Sequence, residues 1–103
     1  MEHFSISGLE RQAGLLRILL ILRKEGRLNF QSFIDDYGIY STSFYRAVGK
    51  AESLGLITVE EEKSKRRTKK FAVLTDLGKE VSENLYRIES ALRQKQPRPK
   101  RAD

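Results

Sequence analysis

"EEEKSKRRTKK" (60–70) places three acids and then six bases in eleven residues. A charge run of this kind is ordinarily a solvated loop or a disordered tail. Its neighbours argue otherwise. "GLITV" (55–59) precedes it and "FAVLT" (71–75) follows it, and both are short β-branched, apolar runs of the kind that form strands. The pattern is a β-hairpin whose connection carries the densest positive charge in the chain. No Asn-Gly or Asp-Gly pair marks a two-residue turn, so a loose, mobile tip is expected.

Outward from the hairpin, apolar spacing is helical on both sides. "SFYRAVGKAESL" (43–54) puts Phe44, Ala47, Val48, Ala51 and Leu54 on one stripe; Ser41 or Thr42 opens this helix and Gly55 closes it. Gly49 costs it about 1 kcal/mol relative to alanine, so the helix relies on packing or has a reason to keep that surface flat. Before it, Asn29 caps a short helix over "FQSFIDDY" (30–37) that ends at Gly38. After the hairpin, Thr75 caps a last helix through about Arg93, with Leu77, Val81, Leu85, Ile88 and Leu92 at intervals of four, four, three and four. At the other end, Ser7 or Ser5 caps a first helix from about Leu9 to Glu25, stopped by Gly26. Its run "LLRILLIL" (15–22) is apolar on most of its circumference, so it needs cover from its own domain and from something more, most simply a second copy of the chain. That run spans about 12 Å, too short to cross a bilayer.

The 103 residues fit one domain with a modest core. There is no cysteine, which excludes disulfides and cysteine zinc sites, and the N-terminal residues do not form a signal peptide. The net charge of +6 is unevenly spread: residues 1–62 sum to −2, 63–70 to +6, 71–92 to −2 and 93–103 to +4. A mildly acidic body with two basic segments points to a polyanionic partner that touches those segments. "QKQPRPKRAD" (94–103) is polar, basic and broken by proline, and reads as a disordered tail whose bases, with Arg93, are an arm along a backbone or a solubilising end. The division is therefore a domain over 1–94, its last helix over about 75–94, and a tail over 95–103.

No catalytic set stands out. His3 is the only histidine. Asp35 and Asp36 are neighbours on a helix, about 100° apart, and do not converge on a metal or substrate. No phosphate-cradling glycine motif or nucleophile elbow is present. The reading is a non-enzyme with no cofactor and no metal site.

The order helix, helix, helix, hairpin, helix, together with "IYSTSFYRAVGKAESLGLI" (39–57) and "VLTDLGKEV" (73–81), resembles the winged helix-turn-helix domain of MarR-type and related bacterial and archaeal regulators. Three features carry the likeness: Ser/Thr opening the third helix, the "ESLGLI" exit into the first wing strand, and the "LTDLG" entry to the last helix. The resemblance implies a mainly α fold of three helices, a two-stranded wing and a long C-terminal helix. It implies a cytoplasmic, nucleoid-associated protein of a prokaryotic or archaeal-virus setting that binds double-stranded DNA as a homodimeric transcriptional regulator.

In that fold the third helix reads the major groove through Thr42, Ser43, Tyr45, Arg46, Gly49 and Lys50. Arg46 suits a bidentate guanine contact, Lys50 a phosphate, and Gly49 a close approach. The wing bases Lys63, Lys65, Arg66, Arg67, Lys69 and Lys70 meet phosphates or the minor groove. Glu60, Glu61 and Glu62 either repel phosphate from the wing base or pair across the strands with Lys69 and Lys70. Leu15, Leu19, Leu22, Leu85, Ile88 and Leu92 are the expected contacts between copies. The alternatives are a winged-helix protein-interaction module, a non-specific chromatin-type DNA binder and, with Tyr45 as its one stacking candidate, an RNA binder.

Overall fold

The computed structural model describes residues 4–95. Helix α2 (Leu15–Glu25) is the centre of the molecule. Leu15, Ile18, Leu19 and Leu22 are wholly buried, and the helix packs against α4 (Ser41–Ser53), α5 (Asp76–Lys95) and the strands β1 (Arg27–Asn29) and β3 (Thr68–Leu74). Each such leucine or isoleucine contributes about 1.5–3 kcal/mol of burial. The apolar circumference of "LLRILLIL" is thus covered mainly by the chain's own elements. Leu15, Leu19 and Leu22, expected between copies, are core residues with no surface to offer a partner.

The expected helix over Leu9–Glu25 is two helices, α1 (Ser7–Glu10) and α2. The break falls at Gly14, which sits at φ +83° as the N-cap of α2. Only glycine takes that conformation without strain, so the chain turns there instead of winding on. At its other end α2 stops at Gly26, whose N–H donates to the Leu22 carbonyl.

A third strand also departs from expectation. β1 pairs antiparallel with β3, and β2 (Ile57–Lys63) flanks β3 on the other side, giving the order β1-β3-β2. Three residues with one intermediate apolar side chain carry no readable strand period. Asn29 ends β1 and caps the short helix α3 (Phe30–Asp35), its Oδ1 accepting from the Gln31 N–H at 2.7 Å. The inner face of the sheet (Ile57, Val59, Ala72, Leu74 and Leu28) lies on the core, and the outer face carries Arg27, Asn29, Thr58, Glu60, Glu62, Lys69, Phe71 and Val73.

The two motifs that framed the sequence reading meet in space. The N–H of Thr75 donates to the Leu56 carbonyl (3.0 Å), and its hydroxyl donates to the Gly55 carbonyl (2.5 Å) while accepting from the Gly78 N–H (3.0 Å). Gly78 lies so close to Leu56 that a Cβ would fall 1.9 Å from its carbonyl oxygen. "ESLGLI" and "LTDLG" are one junction seen from both sides, fixing where α5 leaves the sheet. α5 then continues through Lys95. His3 and the tail bases Arg98, Lys100 and Arg101 lie outside the described residues. The radius of gyration is 15.8 Å, against about 12–13 Å for a compact chain of this length.

Candidate nucleic-acid interface

α3, the turn 36–40 and α4 form a helix-turn-helix. Gly38, at φ +68°, makes the turn, and its N–H donates to the Ile34 carbonyl. Phe44 anchors α4 from beneath: its ring meets Phe30 edge-on at 5.0 Å and Phe33 at 4.9 Å, and is fully buried. The N-cap of α4 is Tyr40, whose side chain makes no capping bond, rather than Ser41 or Thr42. The first N–H groups of α4 therefore have no side-chain acceptor, the state in which a helix start receives an anion.

With Phe44, Ala47, Val48 and Ala51 buried, α4 turns Thr42, Tyr45, Arg46 and Gly49 outward, with Ser43 and Lys50 half-buried at the margins. At 100° per residue, Gly49 falls near the middle of that face. Nothing lies within 4 Å of where its Cβ would be, so no packing inside the chain requires glycine there. Tyr45, 57 % exposed, is held against Phe30 and Phe44 at 6.1 and 5.5 Å. Lys50 lies towards α1: a Cβ on Gly8 would meet its Cε at 3.9 Å.

The β2–β3 hairpin stays paired out to Lys63 and Thr68. Its tip, residues 64–67, is tight rather than loose. The Ser64 N–H and hydroxyl both donate to the Arg67 carbonyl (2.8 and 3.0 Å), and the Arg67 N–H donates back to the Ser64 hydroxyl (3.3 Å). Serine at the first position of a four-residue turn was the available signal. β1 covers β3 only from Phe71 to Val73, which leaves the edge at residues 67–70 open. There a groove of about 350 Å³ is lined by Arg67, Thr68, Lys69 and Lys70 on the wing side, by Tyr45, and by Asn29, Phe30 and Gln31. Helix α4, through Tyr45, and the hairpin thus line one cleft. Lys63, Lys65 and Arg66 stand beyond it towards the tip. Gln31 was missed in the sequence because its place depends on β1, which has no pattern of its own.

Four ion pairs form among the described residues: Arg23–Glu83, Arg27–Glu60, Arg27–Glu62 and Arg93–Glu89. None uses Arg46, Lys50 or a wing base. Lys69 and Lys70 face Glu62 and Glu61 in the strand register, yet the cross-strand pairs, one of the two readings of these acids, do not form.

Two helices in a turn-helix pair and a basic hairpin beside the second decide the architecture. The fold is a winged helix-turn-helix of the MarR type. Among solved structures it is similar to a transcriptional-regulator homologue from Pyrococcus horikoshii (14 % identity, TM-score 0.65, covering 85 % of this chain and 95 % of that one). A MarR regulator from Methanosarcina mazei matches at 22 % identity and TM-score 0.68 over 88 % and 70 %. A MarR family regulator from Streptomyces coelicolor, solved in complex with DNA, matches at 25 % identity and TM-score 0.60 over 89 % of this chain and 64 % of its own. No protein-family model and no curated protein matches the sequence. In winged-helix terms α4 is the second helix of the helix-turn-helix and β2–β3 the wing. No described helix of this winged helix is long and apolar enough to cross a membrane.

Proposed function

We propose that this winged helix is a transcriptional regulator that binds double-stranded DNA sequence-selectively as a homodimer, α4 in the major groove and the wing on flanking phosphates. The observation that carries the reading is that no cation of α4 or the wing is in an ion pair among the described residues, that Arg67, Lys69 and Lys70 share a cleft with Tyr45 of α4, and that Glu60 and Glu62 of the wing are engaged by Arg27 instead. Unpaired exposed cations gain most from phosphate, because each contact releases counterions without first breaking an ion pair. The DNA complex of the S. coelicolor relative supports the same assignment.

Within it, the α4 N-terminus with Thr42 and Ser43 holds phosphate, Arg46 reads a guanine edge, and Gly49 lets the helix approach the bases. Lys63, Lys65, Arg66, Arg67 and Lys69 neutralise the flanking backbone. The second copy docks on the outer stripe of α5, where Ile88 and Leu92 are each about half exposed and Leu85 is half-buried. A two-fold dimer then sets two recognition helices about 34 Å apart on a pseudo-palindromic site.

The test is selection from a randomised duplex pool at two salt concentrations, with sequencing of the retained fraction. A palindromic consensus is expected. Arg46→Ala should relax one position of it, and Arg66→Ala with Arg67→Ala should weaken binding to every sequence and flatten the salt slope by about 0.9 per lost phosphate contact. Retention without any consensus would leave only a non-specific binder, and no salt-sensitive retention at all would end the DNA reading.

A further inference from the structure

Arg27 was silent in the sequence, yet it organises the outer face of the sheet. From β1 its side chain crosses the central strand over the Phe71 ring, the guanidinium carbon 3.7 Å from the ring centre. Its Nε donates to Glu60 and an Nη to Glu62, each at 2.8 Å. Both carboxylates belong to β2, on the same face. The residue directly opposite Glu62 on β3 is Lys69. Opposite charges facing each other across antiparallel strands attract by default, but Glu62 is turned to Arg27, and Lys69 has no acidic partner among the described residues. Lys69 instead lines the cleft that it shares with Tyr45 of α4.

The guanidinium wins Glu62 for physical reasons. A planar fork of donors can serve two carboxylates at once, and it stacks on an aromatic face, whereas an ammonium is a point charge with neither advantage. We propose that Arg27 is a positioning residue that draws Glu62 away from its cross-strand partner and so keeps the Lys69 ammonium free for a DNA phosphate. The pair is exposed, so its direct contribution to folding is small; its effect is on which cation is left available. The proposal rests on the DNA-binding reading given above.

Two measurements separate its failure from the failure of that reading. The first needs no DNA: acylation of individual lysines in the intact chain, followed by mass spectrometry. Arg27→Gln should slow labelling of Lys69, as Glu62 returns to it, and adding Glu62→Gln should restore the rate. The second is the salt dependence of duplex binding. Arg27→Gln should lower the slope by about 0.9, one phosphate contact; Arg27→Gln with Glu62→Gln should recover it; Glu62→Gln alone should leave it unchanged. Lys69→Gln should lower the slope in the wild-type background and not in Arg27→Gln. An Arg27 that merely touched phosphate, or merely held the strands, would show no rescue by Glu62→Gln in either measurement, and that result overturns the proposal. Rescue of labelling in a protein without salt-sensitive duplex binding would refute the DNA role of Lys69 along with the parent reading, while leaving the competition for Glu62 intact.

Discussion

Gly49→Ala sets stability against function within one methyl group. Gly49 is not among the glycines at positive φ, it lies within α4, and its Cβ position is empty of neighbours. Alanine should therefore gain the full difference in helix propensity, about 0.8–1.0 kcal/mol. For a domain of this size, where 1 kcal/mol moves the midpoint by about 4–8 °C, the melting temperature should rise by about 3–8 °C, read by circular dichroism on the free protein. The same methyl projects from the middle of the face that carries Arg46 and Tyr45. Holding the helix off the bases should cost roughly one direct base contact, about 1–3 kcal/mol, or about 5- to 150-fold in affinity for the selected operator. Fluorescence anisotropy with a labelled duplex measures it. A variant that melts higher and binds the operator as well as wild type would show that this face does not enter the groove. A variant that melts no higher would refute the premise that nothing in the chain needs glycine there.

Gly78→Ala should act in the opposite sense, destabilising by about 3 kcal/mol, because its Cβ would collide with the Leu56 carbonyl and backbone cannot step aside as a side-chain end can; urea denaturation reads the loss. The Arg23 guanidinium, bonded to Glu83 at 2.8 Å and stacked 3.7 Å over Tyr86, holds the Glu83 carboxyl below its ordinary value of 4.5. A lowered carboxyl stabilises the fold above its unfolded value and ceases to do so as pH falls through the folded one. The advantage of wild type over Glu83→Gln in thermal melts should therefore be constant near neutrality and vanish only below about pH 4.5. Ile88→Glu, on the exposed stripe of α5, should convert a sedimenting dimer to monomer at concentrations on the order of tens of micromolar; a wild-type chain already monomeric there would defeat the dimer.

Long periodic segments were legible from residue order alone. Helices α3, α4 and α5, their stops at Gly38 and Gly55, the Asn29 cap and the hairpin strands follow from apolar spacing and terminal chemistry, which act within a few residues. The charge segregation that suggests a polyanion was equally plain, and so was the oddity of Gly49. Gly14 was readable in principle, as a glycine inside the expected first helix, but the strong apolar run beside it masked the break.

What residue order alone determined about this protein is therefore local: which stretches wind, which extend, where they stop, and where charge accumulates. Tertiary structure decided the rest. It made Leu15, Leu19 and Leu22 core instead of interface, since the number of neighbours around a helix depends on elements distant in sequence. It created β1 from three residues with no pattern of their own, because an open strand edge at Phe71–Val73 supplied the hydrogen bonds. Through β1 it brought Arg27 within reach of carboxylates 33 and 35 residues away, settling which ions are paired. Pairing is a matter of distance in space, and only the packed chain sets that distance.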